Sequence, residues 1–479
     1  MNSQIIAAVG LSLLTASSFA TAQDSRTVTE PHIPAACATL SAHLTSINDG
    51  AYDTLAPADE HKLDTARIQQ AIDACAHGKA VVLQARSAAN AFVSGPLELR
   101  AGVTLVVARN TTLFETLDPT LLETSPGSCG VISAERGRGC KPLIAVNVPD
   151  AAIMGDGVID GRGGEPILGT KTSAWDLGQQ ATAGGPGVST GGGQKVSRLI
   201  VADHADNFTL YRITLRNSPN FHVSYNAGDG FTVWGVKIDT VRRIATAAHP
   251  LSRNTDGIDP GDGARNVTIT HSFFREGDDN IALKGGTGGI TQVSITHNHM
   301  YWGHGMSIGS ETNGGVSKIR VSDLTLDGTD SGIRIKSTGM RGGLVHDVLY
   351  DDICIRNSPR PIDITAAYAA NGPVRGNSPP TFQDITLRNV TISGGGHIFL
   401  DGYDETHRAQ LILDGVFLSD LANSTTPYTY TFDHADITFG PNGSNLQLPD
   451  GTDTTVHGSP TTAKPNATCA ARFVPFPPS

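Results

Sequence analysis

Four short runs recur in one frame along the middle of the chain: Asn280–Lys284, Gly305–Gly309, Gly332–Lys336 and Pro361–Thr365. Their first apolar residues, Ile281, Met306, Ile333 and Ile362, lie 25, 27 and 29 positions apart. A second set of runs is interleaved with them: Val267-Thr268-Ile269, Val293-Ser294-Ile295, Ile319-Arg320-Val321 and Ile385-Thr386-Leu387. Val/Ile/Thr runs bounded by Gly, Asn and Asp read as strands. Two strands in each such interval leave no room for a helix, so the pattern predicts an all-β solenoid, a β-helix whose coils stack on one continuous core. A propeller needs blades of ~40 residues joined by hairpins, and hairpin dipeptides are rare here. A solenoid also lets one domain exceed the usual ~250–300 residues, because its core grows along one axis.

Composition agrees. The 54 Gly among 479 residues and only 17% charged residues argue against coiled coils, long helical bundles and charge-driven disorder. A net charge of −11 excludes a broad footprint for nucleic acid or an anionic membrane. The apolar run Ile5–Ala20, followed by Ala20-Thr21-Ala22, reads as an export signal over 1–22, although no Lys or Arg precedes it. It is too short and too rich in Ser and Thr for a membrane anchor. We expect a secreted, extracellular chain with one β-helix domain over 23–479.

Six cysteines suit an oxidising compartment, and no Cys-x-x-Cys metal spacing exists. Fifteen pairings are open. Cys129 with Cys140 closes a small loop, and Cys37 with Cys75 and Cys354 with Cys469 would fasten the ends; buried free thiols are the alternative. Ile68 and Ile72 at helical spacing predict an N-terminal capping helix within a cap at about 53–80. Residues 164–194, rich in Gly, Thr and Ala, are expected to form a long loop, and about 423–479 an irregular tail.

Asn254-Thr255-Asp256, Gly277-Asp278-Asp279, Gly303-His304-Gly305 and Arg334-Ile335-Lys336 fall on successive coils. Motifs one coil apart lie side by side, giving a patch of three carboxylates, an imidazole and two cations. Strand alternation puts Arg334 and Lys336 together on the outer side, where solvated charges contribute little to folding. Neighbouring carboxylates repel, so at least one keeps its proton. One proton donor and one base suit hydrolysis of a glycosidic bond, and two cations suit a carboxylate on the sugar. The adjacent Asp278 and Asp279 face opposite ways on a regular strand, so a kink at Gly277 is required for both to reach the patch.

These four motifs resemble those of the polygalacturonase family, family twenty-eight of the glycoside hydrolases, and Asn254-Thr255-Asp256-Gly257-Ile258-Asp259-Pro260 resembles its bacterial branch. The resemblance runs from about Asp53 to the chain end. It implies a right-handed parallel β-helix that cleaves α-1,4-linked galacturonan, the acid of pectin, with inversion. It implies Asp278 as general acid, Asp256 and Asp279 as the groups that position and deprotonate water, and His304 as a hydrogen-bonded modulator of the acid. Arg334, Lys336, Tyr368 and Asn254 would bind substrate, with no metal and no cofactor. Inversion usually needs ~6.5–9.5 Å between the carboxyls. His222 is expected near the cleft in a contact or structural role, and Asn266, Asn298 and Asn389 at turns. Partners beyond the pectic polysaccharide are not expected, and the chain reads as a monomer, endo-acting for want of an extra domain that closes the cleft. Rivals are exo action, a rhamnogalacturonan hydrolase, which usually lacks the His304 equivalent, a pectate lyase using the Asp trio for Ca²⁺ and Arg334 as base, and a non-catalytic polysaccharide-binding β-helix.

Overall fold

The computed structural model describes residues 23–48, 53–135, 137–183, 193–240, 252–368, 376–419, 421, 426–448, 453–460, 464–465 and 468–478. The export signal expected over 1–22 lies outside them. Two long sheets of parallel strands, of 21 and 11 strands, wrap one core in a parallel β-helix. Two short antiparallel pairs, Val131–Ser133 with Gly193–Lys195 and Ile47–Asn48 with Asp53–Thr54, lie beside them.

The sequence frame is the hydrogen-bonding register. Ile281 pairs with Met306, Met306 with Ile333 and Ile333 with Ile362 in the 11-stranded sheet. All four are at most 1% exposed, and each contributes roughly 1.5–3 kcal/mol by leaving water. In the larger sheet Val267, Val293 and Ile319 stack in register. Val348 fills the step between Ile319 and Ile385 that the sequence pattern left open. Each of these coils turns at a left-handed residue just before that position: Asn266, Gln292, Lys318, Asp347 and Asp384 all have positive φ. A second corner recurs at His271, His297, Asp323, Asp352 and Asn389. Asn266 and Asn389 are therefore turn residues as expected. Asn298 is not: it is fully buried, and its amide bonds the backbone of Ser272 and Ile269, tying adjacent coils.

The helix Thr65–Ala74 buries Ile68 and Ile72 against the first coils. All six cysteines are paired, Cys37–Cys75, Cys129–Cys140 and Cys354–Cys469. Two expectations are corrected. The long loop over 164–194 contains the helix Ala174–Ala183 and the strand Gly193–Lys195, while 184–192 lie outside the described residues. Ser173 and Asp176 exchange hydrogen bonds as a capping box starting that helix, and the Trp175 indole donates to the Ser218 carbonyl. The irregular tail over about 423–479 also contains regular structure. Tyr428–Asp433 and Ala435–Phe439 continue both sheets, Thr454–His457 adds another strand, and Cys469–Arg472 is a short helix. Alternation around the buried Phe432 and Ile437 carries these strands despite the Pro and Asn around them.

Candidate active site

Each turn that leads into a strand of the 11-stranded sheet presents side chains on one side of the solenoid. Asp256 precedes Ile258–Gly261, Asp278 and Asp279 precede Ile281–Leu283, and His304 precedes Met306–Gly309. Because Asp278 and Asp279 lie outside the regular strand, both reach the same point. Gly277 is needed for close approach: a Cβ there would meet the Ser252 carbonyl oxygen at 2.2 Å. Oxygens of Asp256, Asp278 and Asp279 all lie within 4.8 Å of one another, closer than the wide gap expected for inversion. A water at ~2.8 Å from each of two oxygens bridges up to ~5.6 Å, so the trio can share one water.

Their surroundings differ. Lys336 and Arg334 approach Asp279 at 2.7 and 3.1 Å, and the Ser307 hydroxyl donates to it at 2.7 Å. Burial works to raise the Asp279 pKa, but Lys336, Lys284 and Arg334 outweigh it and hold the carboxyl well below the usual range. Burial raises Asp256 well above that range, and the charges of Asp259 and Asp278 push the same way. Asp278 is the most open of the three, its side chain 18% exposed against 3% for Asp256 and 1% for Asp279. It accepts backbone N–H bonds from Asn254 and Asp279, both at 2.9 Å. Asn254 thus meets the trio through its backbone, in a left-handed conformation with φ 57°.

His304 does not hydrogen-bond the acid. Its Nε2 is 3.9 Å from Asp278, beyond hydrogen-bond reach, while Nδ1 is 3.2 Å from Asp330. Arg334 and Lys336 do sit on the outer face of their strand, but as ion-paired residues 7% and 4% exposed, which corrects the expectation that outward charges here contribute little to folding. The Tyr368 ring faces both, 5.4 Å from the Arg334 guanidinium and 5.2 Å from the Lys336 ammonium. His222 is fully buried: its Nδ1 is 3.1 Å from the Asp256 carbonyl and its Nε2 2.8 Å from the Thr240 hydroxyl. Burial lowers its pKa to about 4, which keeps it neutral and structural.

The sequence reading missed Lys284, whose ammonium lies 3.4 Å from Asp256 and 3.7 Å from both Asp259 and Asp279. Its signal is columnar, since one step outward from the paired Leu283, Ile308 and Ile335 come Lys284, Gly309 and Lys336. Asp330 behind His304 and Asp363 behind Arg334 (3.4 Å) were also missed. The trio's oxygens are close enough for a cation, yet Lys284, Arg334 and Lys336 already supply positive charge there. Burial works to lower the Arg334 pKa, and Asp279, Tyr368 and Asp363 more than reverse it, so Arg334 is unsuited to the base role of a lyase.

Carboxyls of unlike proton affinity around one point, on a parallel β-helix, form the arrangement that acid–base cleavage of a glycosidic bond requires. The profile of Glycosyl hydrolases family 28 matches residues 55–432, and the chain belongs to that family. It is 35% identical to a polygalacturonase of Ralstonia nicotianae over 94% of this chain and 92% of that protein. An endo-polygalacturonase of Pectobacterium carotovorum is 38% identical over 85% of this chain and 92% of its own. The solved polygalacturonase of Erwinia carotovora superposes with a TM-score of 0.74 at 35% identity, covering 86% of this chain and 99% of that one.

Proposed function

We propose that the protein is a secreted endo-polygalacturonase that hydrolyses α-1,4 bonds of polygalacturonate with inversion. The observation that carries this reading is the clustering of one accessible and two buried carboxyls within 4.8 Å, beside three cations. Asp278, open to the cleft, gives its proton to the leaving oxygen. Asp256 and Asp279 hold the attacking water between them. Asp279 stays ionised and orients the water, and Asp256 takes the water's proton once it is itself ionised, so its raised pKa sets the acid limb of the pH profile. His304, backed by Asp330, supplies a polar group beside the acid.

Arg334 offers five N–H donors and Lys336 three, of which Asp279 takes one from each. Apart from the Arg334 Nε, buried toward Asp363 at 3.4 Å, the remainder suit a galacturonate carboxylate, with the Tyr368 ring as the wall of that subsite. Asn254, exposed at the cleft edge, contributes to substrate binding. Endo action is supported by the likeness to the Pectobacterium enzyme, and secretion by the apolar N-terminal run and three disulfides. The test is release of reducing ends from polygalacturonate as mixed oligomers. An unsaturated, ultraviolet-absorbing product lost on chelation would instead indicate a lyase, and monomer alone an exo enzyme.

A further inference from the structure

Arg198 lies in the turn before the strand Ile200–Asp203, on the same side of the solenoid as the acids. Its guanidinium donates to the Ser224 hydroxyl at 2.9 Å and stacks on the Phe221 ring at 4.2 Å. Ser224 belongs to the outward column that passes through Asp259, paired directly with it, to Ser307 and Arg334, which pair with each other further along. Four strand spacings, about 19 Å, separate Ser224 from Arg334 along this column. Asp256 and Asp278 lie between them, so Arg198 flanks the acids on the side opposite Arg334 and Lys336. The Phe221 ring also faces the Lys284 ammonium at 5.7 Å, making the cationic lining continuous with the acid cluster.

Among the described residues, no carboxylate forms an ion pair with Arg198, whereas Arg162, Arg216, Arg275 and Arg334 each have at least one. A half-buried guanidinium with one hydroxyl as its hydrogen-bond partner, on which Asp259, Asp256 and Glu311 act only from beyond ion-pair distance, is left short of close anionic compensation. Desolvation lowers its pKa to about 10, and the neighbouring Arg138 adds to the effect. Arg138 is exposed on the stretch before Cys140, and the Lys195 ammonium bonds the Gly137 carbonyl at 2.6 Å, which steadies that stretch. Two like charges at one end of a cleft, neither in an ion pair among the described residues, are suited to a polyanion whose carboxylates repeat along its length.

We propose that Arg198, seated on Phe221 and assisted by Arg138, is a second carboxylate-recognition subsite that binds a galacturonate unit on the far side of the scissile bond from Arg334 and Lys336. The proposal rests on the polygalacturonase reading above. A substrate long enough to span both cationic sites then gains contacts that a short oligomer cannot make.

The test compares wild type, Arg198→Met, which keeps the stem on Phe221 without the charge, and Arg198→Lys on polygalacturonate and on trigalacturonate, with thermal melts as a folding control. Activity of the wild type on polygalacturonate tests the parent reading separately. The proposal predicts a rise of roughly tenfold or more in KM on the polymer for Arg198→Met, partial recovery with Lys, and a smaller defect on the trimer. A KM on the polymer within about twofold of wild type would overturn it, as would an equal proportional loss on both substrates. If Met proves unstable, binding of polygalacturonate to Arg198→Lys by calorimetry decides, and wild-type affinity at low and high salt would count against the subsite.

Discussion

Replacing Asp278 by Asn keeps the shape of the side chain and removes the proton it gives to the leaving oxygen. We expect kcat on polygalacturonate to fall by ~10²–10⁴-fold with the melting temperature nearly unchanged. A variant that keeps more than about a tenth of wild-type kcat would remove Asp278 from the acid role. Lys284→Met tests the electrostatics of the same cluster. Lys284 favours the ionised forms of Asp256, Asp259 and Asp279, so its loss raises their pKa values. The acid limb of the kcat/KM profile should therefore move to higher pH, by about one unit or more; an unmoved limb would contradict this. Arg334→Ala and Lys336→Ala should each raise KM roughly tenfold or more. Because both ions are buried against Asp279, each change should also cost stability, by up to about 3–5 kcal/mol. Normal melting together with a normal KM would show that the patch does neither job. The carboxylates and cations of the four motifs were legible because each motif is local in sequence. Lys284, Asp330 and Asp363 were not, because their meaning comes only from register between coils.

At the level of elements, the polar groups under the first turns behave differently from the cleft. Arg162, 2% exposed, holds Glu60 and Glu165 at 2.6 and 2.8 Å, while Ser197 bonds Glu115 nearby. Burial pushes Glu115 up to about 8 from an ordinary 4.5. The folded chain therefore keeps a proton that the unfolded chain releases. That stability is full below about pH 4.5 and is lost as pH climbs through about 8, with a slope of at most ~1.4 kcal/mol per unit. Glu115→Gln should narrow the difference in melting temperature between pH 5 and pH 8. Some difference should persist, because Asp160 is raised to about 7. An unchanged gap would mean that Glu115 titrates normally. The capping helix was legible from the spacing of Ile68 and Ile72. The helix Ala174–Ala183 was hidden because its start depends on the Ser173 and Asp176 exchange inside a Gly-rich stretch, where composition pointed to a loop.

For the whole molecule, the coil period was readable because a β-helix repeats its inward residues at each turn, so Ile281, Met306, Ile333 and Ile362 reported register directly. The closing strands were less readable, since Tyr428–Asp433 buries only Phe432 fully, with Tyr428 and Tyr430 half-buried against the core and Thr429 and Thr431 outside. The same stacking places the acids of two adjacent coils around one point, which is why hydrolysis by a single displacement is the central claim. Proton NMR of the first products from polygalacturonate tests it most directly. Inversion of the α linkage predicts β-anomeric reducing ends at the earliest times, before mutarotation. The α anomer appearing first would contradict a single displacement, and no new reducing ends at all would contradict the activity itself.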